Sequence, residues 1–288
     1  MTSETLAQAI ARTGSPVEFL RNQDWPAITF PIKPEFTNWR DEQRAWSSTV
    51  AIMDQSHHMT QLFLGGSDLI EILSGISPNT FATFRAGVAK QLIAVNHAGY
   101  LIGDGILFYN SNDREGLVLI GHHILIDWVR YNVEKAEKAG KDVHHRLEAN
   151  SAMRTDADPT FYRYELQGPE ADKVMLELWD SIPEVKFFHI ADVEIAGKKV
   201  KALRHGMAGQ PGFEFYGPYA DGPAIMAALL EAGAEYGVTL VGAKAYSSSP
   251  LESGWVPTPF PAIWDDDFAE YREWLPAARA GSIGGSLN

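Results

Sequence analysis

Cysteine is absent from all 288 residues. Disulfides, thiolate metal sites, iron–sulfur ligation and a cysteine nucleophile are thereby excluded. Positive charge is scarce, with 24 Lys and Arg against 37 Asp and Glu, a net of −13. A field of that sign repels phosphate backbones and anionic lipid, so neither nucleic acid nor a membrane surface is an expected partner. Long apolar runs are also missing. No window approaches the roughly 18 uncharged apolar residues of a membrane helix. Glu4 and Arg12 interrupt the N-terminal stretch, unlike a secretory signal, and the cytoplasm is the expected location. No H-E-x-x-H, H-x-H, Walker loop or G-x-S-x-G elbow occurs. Histidine pairs stand at 57/58, 122/123 and 144/145. Adjacent strand residues point to opposite faces, so no metal site is expected.

What remains is globular composition, 45% hydrophobic and 11% aromatic. Its patterning predicts an α+β chain. Helices are expected over 5–21 with a break at Gly14-Ser15-Pro16, and over 39–53 behind a Thr37 or Asn38 cap. Trp46 and Val50 should point inward there, with Glu42 and Arg44 exposed. Further helices are expected over 68–75 (capped by Ser67), 124–139, from Gly168-Pro169 to Trp179, over 223–236, and starting within 243–249. Strands are expected at 59–64, 116–121, 161–166 and 213–216. Two hairpins are expected, 88–95 with 100–109 about Asn96-His-Ala-Gly99, and 189–195 with 200–203 about Ala196-Gly-Lys198. The pattern suggests two tandem units, each an antiparallel sheet covered by helices: 1–155 and 156–260, with a linker-like segment at 261–288.

Few residues stand out as carriers of chemistry. Gly206-Met-Ala-Gly-Gln-Pro-Gly212 is a glycine-rich turn whose backbone must pass close to a neighbour or a ligand. Glu214 follows it between aromatics, so it needs a partner. That partner is either Arg204 or a flat heterocycle with adjacent N–H donors, which a carboxylate accepts in parallel. Gln55-Ser-His57-His58 and Tyr246 each lie at element junctions. Each is either a satisfied turn or part of a site.

Taken together these segments resemble one superfamily. Arg204-His-Gly-Met-Ala-Gly209-Gln-Pro-Gly212-Phe-Glu214, Gly242-Ala-Lys-Ala245 with Leu251-Glu-Ser-Gly254, and Asn96-His-Ala-Gly99 with Gly103-Asp104 resemble the signatures of glycine-cleavage T-protein-like aminomethyltransferases. Asn38-Trp-Arg-Asp-Glu-Gln-Arg-Ala-Trp46, Asp54-Gln-Ser-His-His-Met59, Gly103-Asp-Gly-Ile-Leu-Phe108 and Leu251-Glu-Ser-Gly-Trp255 are similar to its tetrahydrofolate-dependent aryl-ether O-demethylases, which act on vanillate and syringate.

The resemblance implies the aminomethyltransferase folate-binding fold, here without the C-terminal β domain with which such proteins continue. It implies methyl transfer from a lignin-derived methoxyarene, a small aromatic methyl ether, to N5 of tetrahydrofolate, releasing a phenol or catechol. In this role Glu214, Gln167 and Trp255 would bind the folate, Gln55 would line the substrate cavity, and His58 and Tyr246 would act on the ether oxygen. His122 stands where those enzymes carry a carboxylate-binding arginine, and Phe30 where they carry a tyrosine near that pocket, which puts benzoate-type substrates in doubt and points to a neutral or differently substituted methoxyarene. Where the aminomethyltransferases carry a paired Asp in this hairpin, this sequence reads Gly103-Asp104, which argues against the glycine-cleavage reaction. The alternatives are a folate-dependent aminomethyl-, N-methyl- or S-methyl-transferase, and a non-catalytic folate-binding protein.

Overall fold

The computed structural model describes residues 6–21, 32–151, 158–207, 209–252, 254, 262–263 and 268–278. Helices α1 (Leu6–Thr13) and α2 (Pro16–Arg21) flank the expected break. Helix α3 (Trp39–Ser48) opens on Asn38, whose side chain accepts the Arg40 N–H. It ends earlier than expected, because Val50–Asp54 is strand β1. The β-branched and apolar run Val50-Ala-Ile-Met53 is buried on both faces, as an interior strand requires.

The chain continues through β2 (Thr60–Gly65), α4 (Leu69–Ile76), β3 (Val88–Val95), β4 (Leu101–Tyr109), β5 (Leu117–Gly121), α5 (His123–Lys138) and β6 (His144–Glu148). Ser67 does not cap α4. Asp68 holds that position, and the Ser67 hydroxyl donates to Asp142 at 2.7 Å. The second half contributes β7 (Phe161–Gln167), α6 (Ala171–Leu178), β8 (Ile190–Ile195), β9 (Lys198–Arg204), β10 (Gly212–Pro218), α7 (Gly222–Ala232), β11 (Val238–Val241), α8 (Ala243–Tyr246), α9 (Ser249–Glu252) and α10 (Ala269–Ala278). Both expected hairpins form, and β6 and β11 are additional strands.

Two sheets result, ordered β3-β4-β5-β2-β6 and β11-β1-β7-β10-β9-β8. Strand β1 therefore crosses the expected division between 1–155 and 156–260. It lies in the second sheet, parallel to β11 and antiparallel to β7. The five-stranded sheet packs Leu62, Leu64, Leu92 and Leu107 against α4, α5 and α10. The six-stranded sheet packs Ile52, Tyr162, Tyr164, Phe213 and Phe215 against α6 and α7. Between the sheets, Phe63, Phe108, Val118 and Ile120 meet Leu203 and Tyr216. Backbone bonds also stitch them, from Ala89 N–H to Phe188 O at 2.8 Å and from Ile190 N–H to Gly87 O at 2.9 Å.

The linker-like expectation for 261–288 is corrected over 268–278. Phe268 and Tyr271 bury against Trp128 of α5 at ring separations of 5.0 Å. Burying a large apolar side chain contributes about 1.5–3 kcal/mol, which a linker forgoes. Among the described residues no helix is long and apolar enough to cross a membrane.

Glu42, expected to be exposed, is fully buried. Its carboxylate accepts the N–H groups of Phe36 at 2.6 Å, Thr37 at 2.7 Å and Gly242 at 2.8 Å. It thus ties the approach to α3 onto the start of α8. Glu42→Ala would strand those donors, each at about 1–3 kcal/mol. We expect a loss of at least about 3 kcal/mol in urea unfolding, and a loss below about 1 kcal/mol would contradict the clamp.

Candidate functional site

The site grows from the alternation within β7. Tyr162, Tyr164 and Leu166 point into the helical core. Arg163, Glu165 and Gln167 must then share the opposite face, and all three are buried. In β10 the register places Glu214 opposite Glu165 and Tyr216 opposite Arg163. Met53 of β1 extends that face beyond Glu165, and Met53, Val241, Trp46 and Ala245 form one packed cluster with Met207 and Tyr246. The inner face of the six-stranded sheet is therefore polar at its centre. Helices α3 and α8 cover one side of it and the five-stranded sheet the other.

The partner of Glu214 is not Arg204. Arg163 Nη1 donates to Glu214 Oε1 at 2.5 Å, with both side chains buried. Arg204 instead approaches Asp172 at 3.6 Å and stacks over Phe213. The reason is strand parity. Arg204 stands opposite Phe213, so it faces away from Glu214. Burial, aided by the nearby Glu214 charge, pushes the Glu165 carboxyl well above the usual carboxylate range. Burial also lowers the His205 imidazole, while Glu214 opposes that shift. Ligand atoms of Glu165, His205 and Glu214 lie within 4.8 Å of one another, a grouping able to hold a cation. The Arg163 guanidinium already supplies positive charge there.

Gly206 and Gly212 explain the glycine-rich turn. A Cβ on Gly206 would sit 2.4 Å from Gln210 O, and one on Gly212 would sit 2.1 Å from Leu166 O. The turn is held by Gln167, whose Oε1 accepts the Met207 N–H. Gln55 Nε2 also donates to Met207 Sδ at 2.9 Å.

His58 and Tyr246 come together from opposite ends of the chain. His58 Nε2 and Tyr246 Oη are 2.9 Å apart, with the rings edge to face at 4.9 Å. Each has a local cause. After β1 the chain stays locked to β7, since Gln55 N–H donates to Arg163 O at 2.9 Å and Arg163 N–H donates to Ser56 Oγ at 3.0 Å. That lock sets the turn bearing His58. Tyr246 closes the single turn of α8, its N–H donating to Gly242 O at 3.0 Å. Burial, then the nearby Glu165 and Glu214 carboxyls, raise the Tyr246 phenol above its ordinary value, and a hydrogen bond with Gln55 counters them. Burial, with a smaller push from His57, lowers His58 to about 4. At neutral pH the pair is a phenol beside an uncharged imidazole. It can donate or pass a proton without holding a charge.

Among the other expected site residues, His122 is the exposed N-cap of α5, its Nδ1 accepting the Ile124 N–H at 3.4 Å. It follows Gly121, which pairs with Thr60 at the His58 end of β2. Asp104 accepts from Gln91 at 2.8 Å. Phe30 and Trp255 lie outside the described residues. Sequence reasoning missed Arg163, Glu165 and His205. The alternation in Phe161-Tyr-Arg-Tyr-Glu-Leu-Gln167 carried the signal for the first two.

Residues 3–259 match the GCVT N-terminal domain. The chain is 43% identical over 291 aligned positions to the syringate O-demethylase of Sphingobium sp., covering 99% of this chain and 62% of that protein. It is 29% identical over 228 positions to an aminomethyltransferase of Exiguobacterium sibiricum, covering 79% of this chain and 57% of that protein. The chain thus spans less than two thirds of the length of these relatives. The crystal structure of the glycine cleavage system aminomethyltransferase T from Bartonella henselae shares the fold at a TM-score of 0.60 and 20% identity, over 87% of this chain and 62% of that one.

The His58 shift makes stability depend on pH. Between its ordinary 6.5 and about 4, the unfolded chain binds a proton that the folded chain refuses. Stability attributable to this group is therefore complete above that window and falls as pH drops through it, by at most about 3 kcal/mol. His58→Gln should flatten this part of the pH dependence in urea unfolding. Equal slopes for parent and variant would contradict the assignment.

Proposed function

The chain belongs to the family of the GCVT N-terminal domain, and on that premise we propose that it moves the methyl group of a methoxyarene to N5 of tetrahydrofolate, releasing a phenol. The observation that carries this reading is the contact of the Tyr246 hydroxyl with His58, beside the buried face that holds Glu214. The 43% identity to a syringate O-demethylase supports the same chemistry.

The residues present fit a folate. Arg163 Nε and Nη2, both Glu165 oxygens and His205 Nδ1 are buried without hydrogen-bond partners among the described residues. Each such atom costs about 1–3 kcal/mol until something meets it, and a heterocycle edged with N–H and acceptor atoms is suited to do so. Glu214 would take adjacent N–H groups of the pterin, with Gln167 and Trp255 as the further residues of that pocket. When bound, the reduced folate supplies the nitrogen lone pair that receives the methyl group.

The chain's own contribution lies at the leaving group. Phenolate leaves poorly, so a donor must stand where its charge develops. Tyr246 stays protonated and offers its O–H to the ether oxygen, while His58 orients that hydroxyl and shares its proton. Burial holds the Tyr246 phenol above its ordinary value, so it keeps its proton and steadies the departing phenolate by hydrogen bonding. Gln55, hydrogen-bonded with Tyr246, lines the same cavity. With His122 in place of an always-charged arginine, and Phe30 in place of a tyrosine, the pocket favours neutral ethers. We place the reaction in the cytoplasm.

Three measurements test this reading. Incubation with tetrahydrofolate and a panel of methoxyarenes should give 5-methyl-tetrahydrofolate and a phenol, guaiacol-like ethers outpacing vanillate and syringate. A strong preference for the benzoates would refute the neutral pocket. Turnover only with N- or S-methyl donors would favour the alternative transferases. Tyr246→Phe should lower kcat by about 10²–10⁴ with folate affinity kept, and a change of only a few-fold would remove Tyr246 from this role. Glu214→Gln should weaken tetrahydrofolate binding about 30–150-fold, read by calorimetry.

A further inference from the structure

Two acids and one guanidinium share the inner face, and the charges do not balance. Arg163 is taken by Glu214. Glu165 stands directly across the β7–β10 ladder from Glu214, and neither of its oxygens has a hydrogen-bond partner among the described residues. The groups that face it are Glu214 and Arg163 on the sheet, His205 after β9 and Tyr246 on α8, with His58 behind Tyr246. Arg163 is the cation of this group, since burial holds His205 and His58 toward their uncharged forms. An ionised Glu165 would be an unpaired buried charge beside a second one, so it carries a proton. A neutral carboxyl differs from a carboxylate in having an O–H to donate. No acceptor among the described residues takes it.

Resting on the folate reading above, we propose that Glu165 stands as an uncharged donor beside the Glu214 carboxylate and gives its O–H to an acceptor atom on the heterocycle that Glu214 holds. The two carboxyls then read different features of one ring edge. Glu214 takes adjacent N–H donors, and Glu165 takes the acceptor next to them. Glu165 is a specificity-determining residue, and its protonation sets an alkaline limit on binding.

The test uses the 288-residue chain with tetrahydrofolate as probe. In the unliganded protein at neutral pH, infrared spectroscopy should show the carbonyl stretch of a protonated carboxyl, and Glu165→Gln should remove it. Glu165→Gln keeps an N–H donor, so calorimetry should find affinity within about 3-fold of the parent, without the parent's loss at high pH. Glu165→Leu removes the donor and should bind about tenfold more weakly, with an unchanged or higher Tm because an unpaired buried acid is gone. Unaltered binding by Glu214→Gln would refute the folate reading itself. Weakened binding by Glu214→Gln together with parent-like binding by Glu165→Leu would overturn this inference alone. A carboxyl band that survives Glu165→Gln would also overturn it, whether or not the Leu variant folds.

Discussion

The Arg163 guanidinium is the constraint on which the two-sheet arrangement rests. It lies over the Phe108 ring of one sheet at 4.6 Å and over Tyr216 of the other at 4.7 Å, and it holds Glu214 at 2.5 Å. A planar, delocalised and weakly hydrated cation can do all three at once, whereas a lysine ammonium cannot. The backbone of the same residue anchors the His58 turn through Gln55 and Ser56. One position therefore joins the sheets, neutralises one buried acid and sets the register of the loop beside Tyr246. The Tyr216 hydroxyl, donating to Asn110 at 2.6 Å, reinforces the same seam.

Much of this was legible in the sequence, because its main signals are local. The breaks at Gly14 and Gly140, the Asn38 cap and both hairpin turns follow from backbone chemistry within a few residues, and they stand where expected. His58 and Tyr246 were singled out from motifs 188 positions apart, and the fold brings them within hydrogen-bond reach. What stayed hidden depends on long-range pairing. Strand β1 looked like the end of a helix, because a short buried apolar run reads equally well either way. It became a strand when β7 and β11 came to flank it. Glu42 looked like an exposed helix carboxylate until the distant Gly242 amide reached it. Arg204 seemed the natural partner of Glu214 by proximity in sequence. Pairing parity gave that role to Arg163, 51 positions away.

The buried face also shows why a site of this kind resists ordinary stability logic. A core chosen for folding alone would fill it with apolar side chains, and replacing buried ionic groups that way is often neutral or stabilising. Here Arg163, Glu165 and His205 all keep buried polar atoms that the described residues leave unmet. The aromatic rings and aliphatic clusters around them hold those atoms in place, with Phe108, Tyr216 and Phe161 about the guanidinium and Met53, Val241 and Ala245 beyond. Rigid apolar walls around a small polar centre are the usual anatomy of a small-molecule pocket.

Helix α8 has four residues, too few to be stable by its own hydrogen bonds. Its shape is borrowed. Glu42 fixes the Gly242 amide, and the carbonyls of Lys33 and Pro34 take the next two N–H groups. The phenol at its end therefore answers to a stretch of chain some two hundred positions earlier. A substitution in 33–42 would shift the Tyr246 hydroxyl without touching it, and a directed-evolution library aimed at altered substrates would do well to include that stretch alongside the residues around Tyr246.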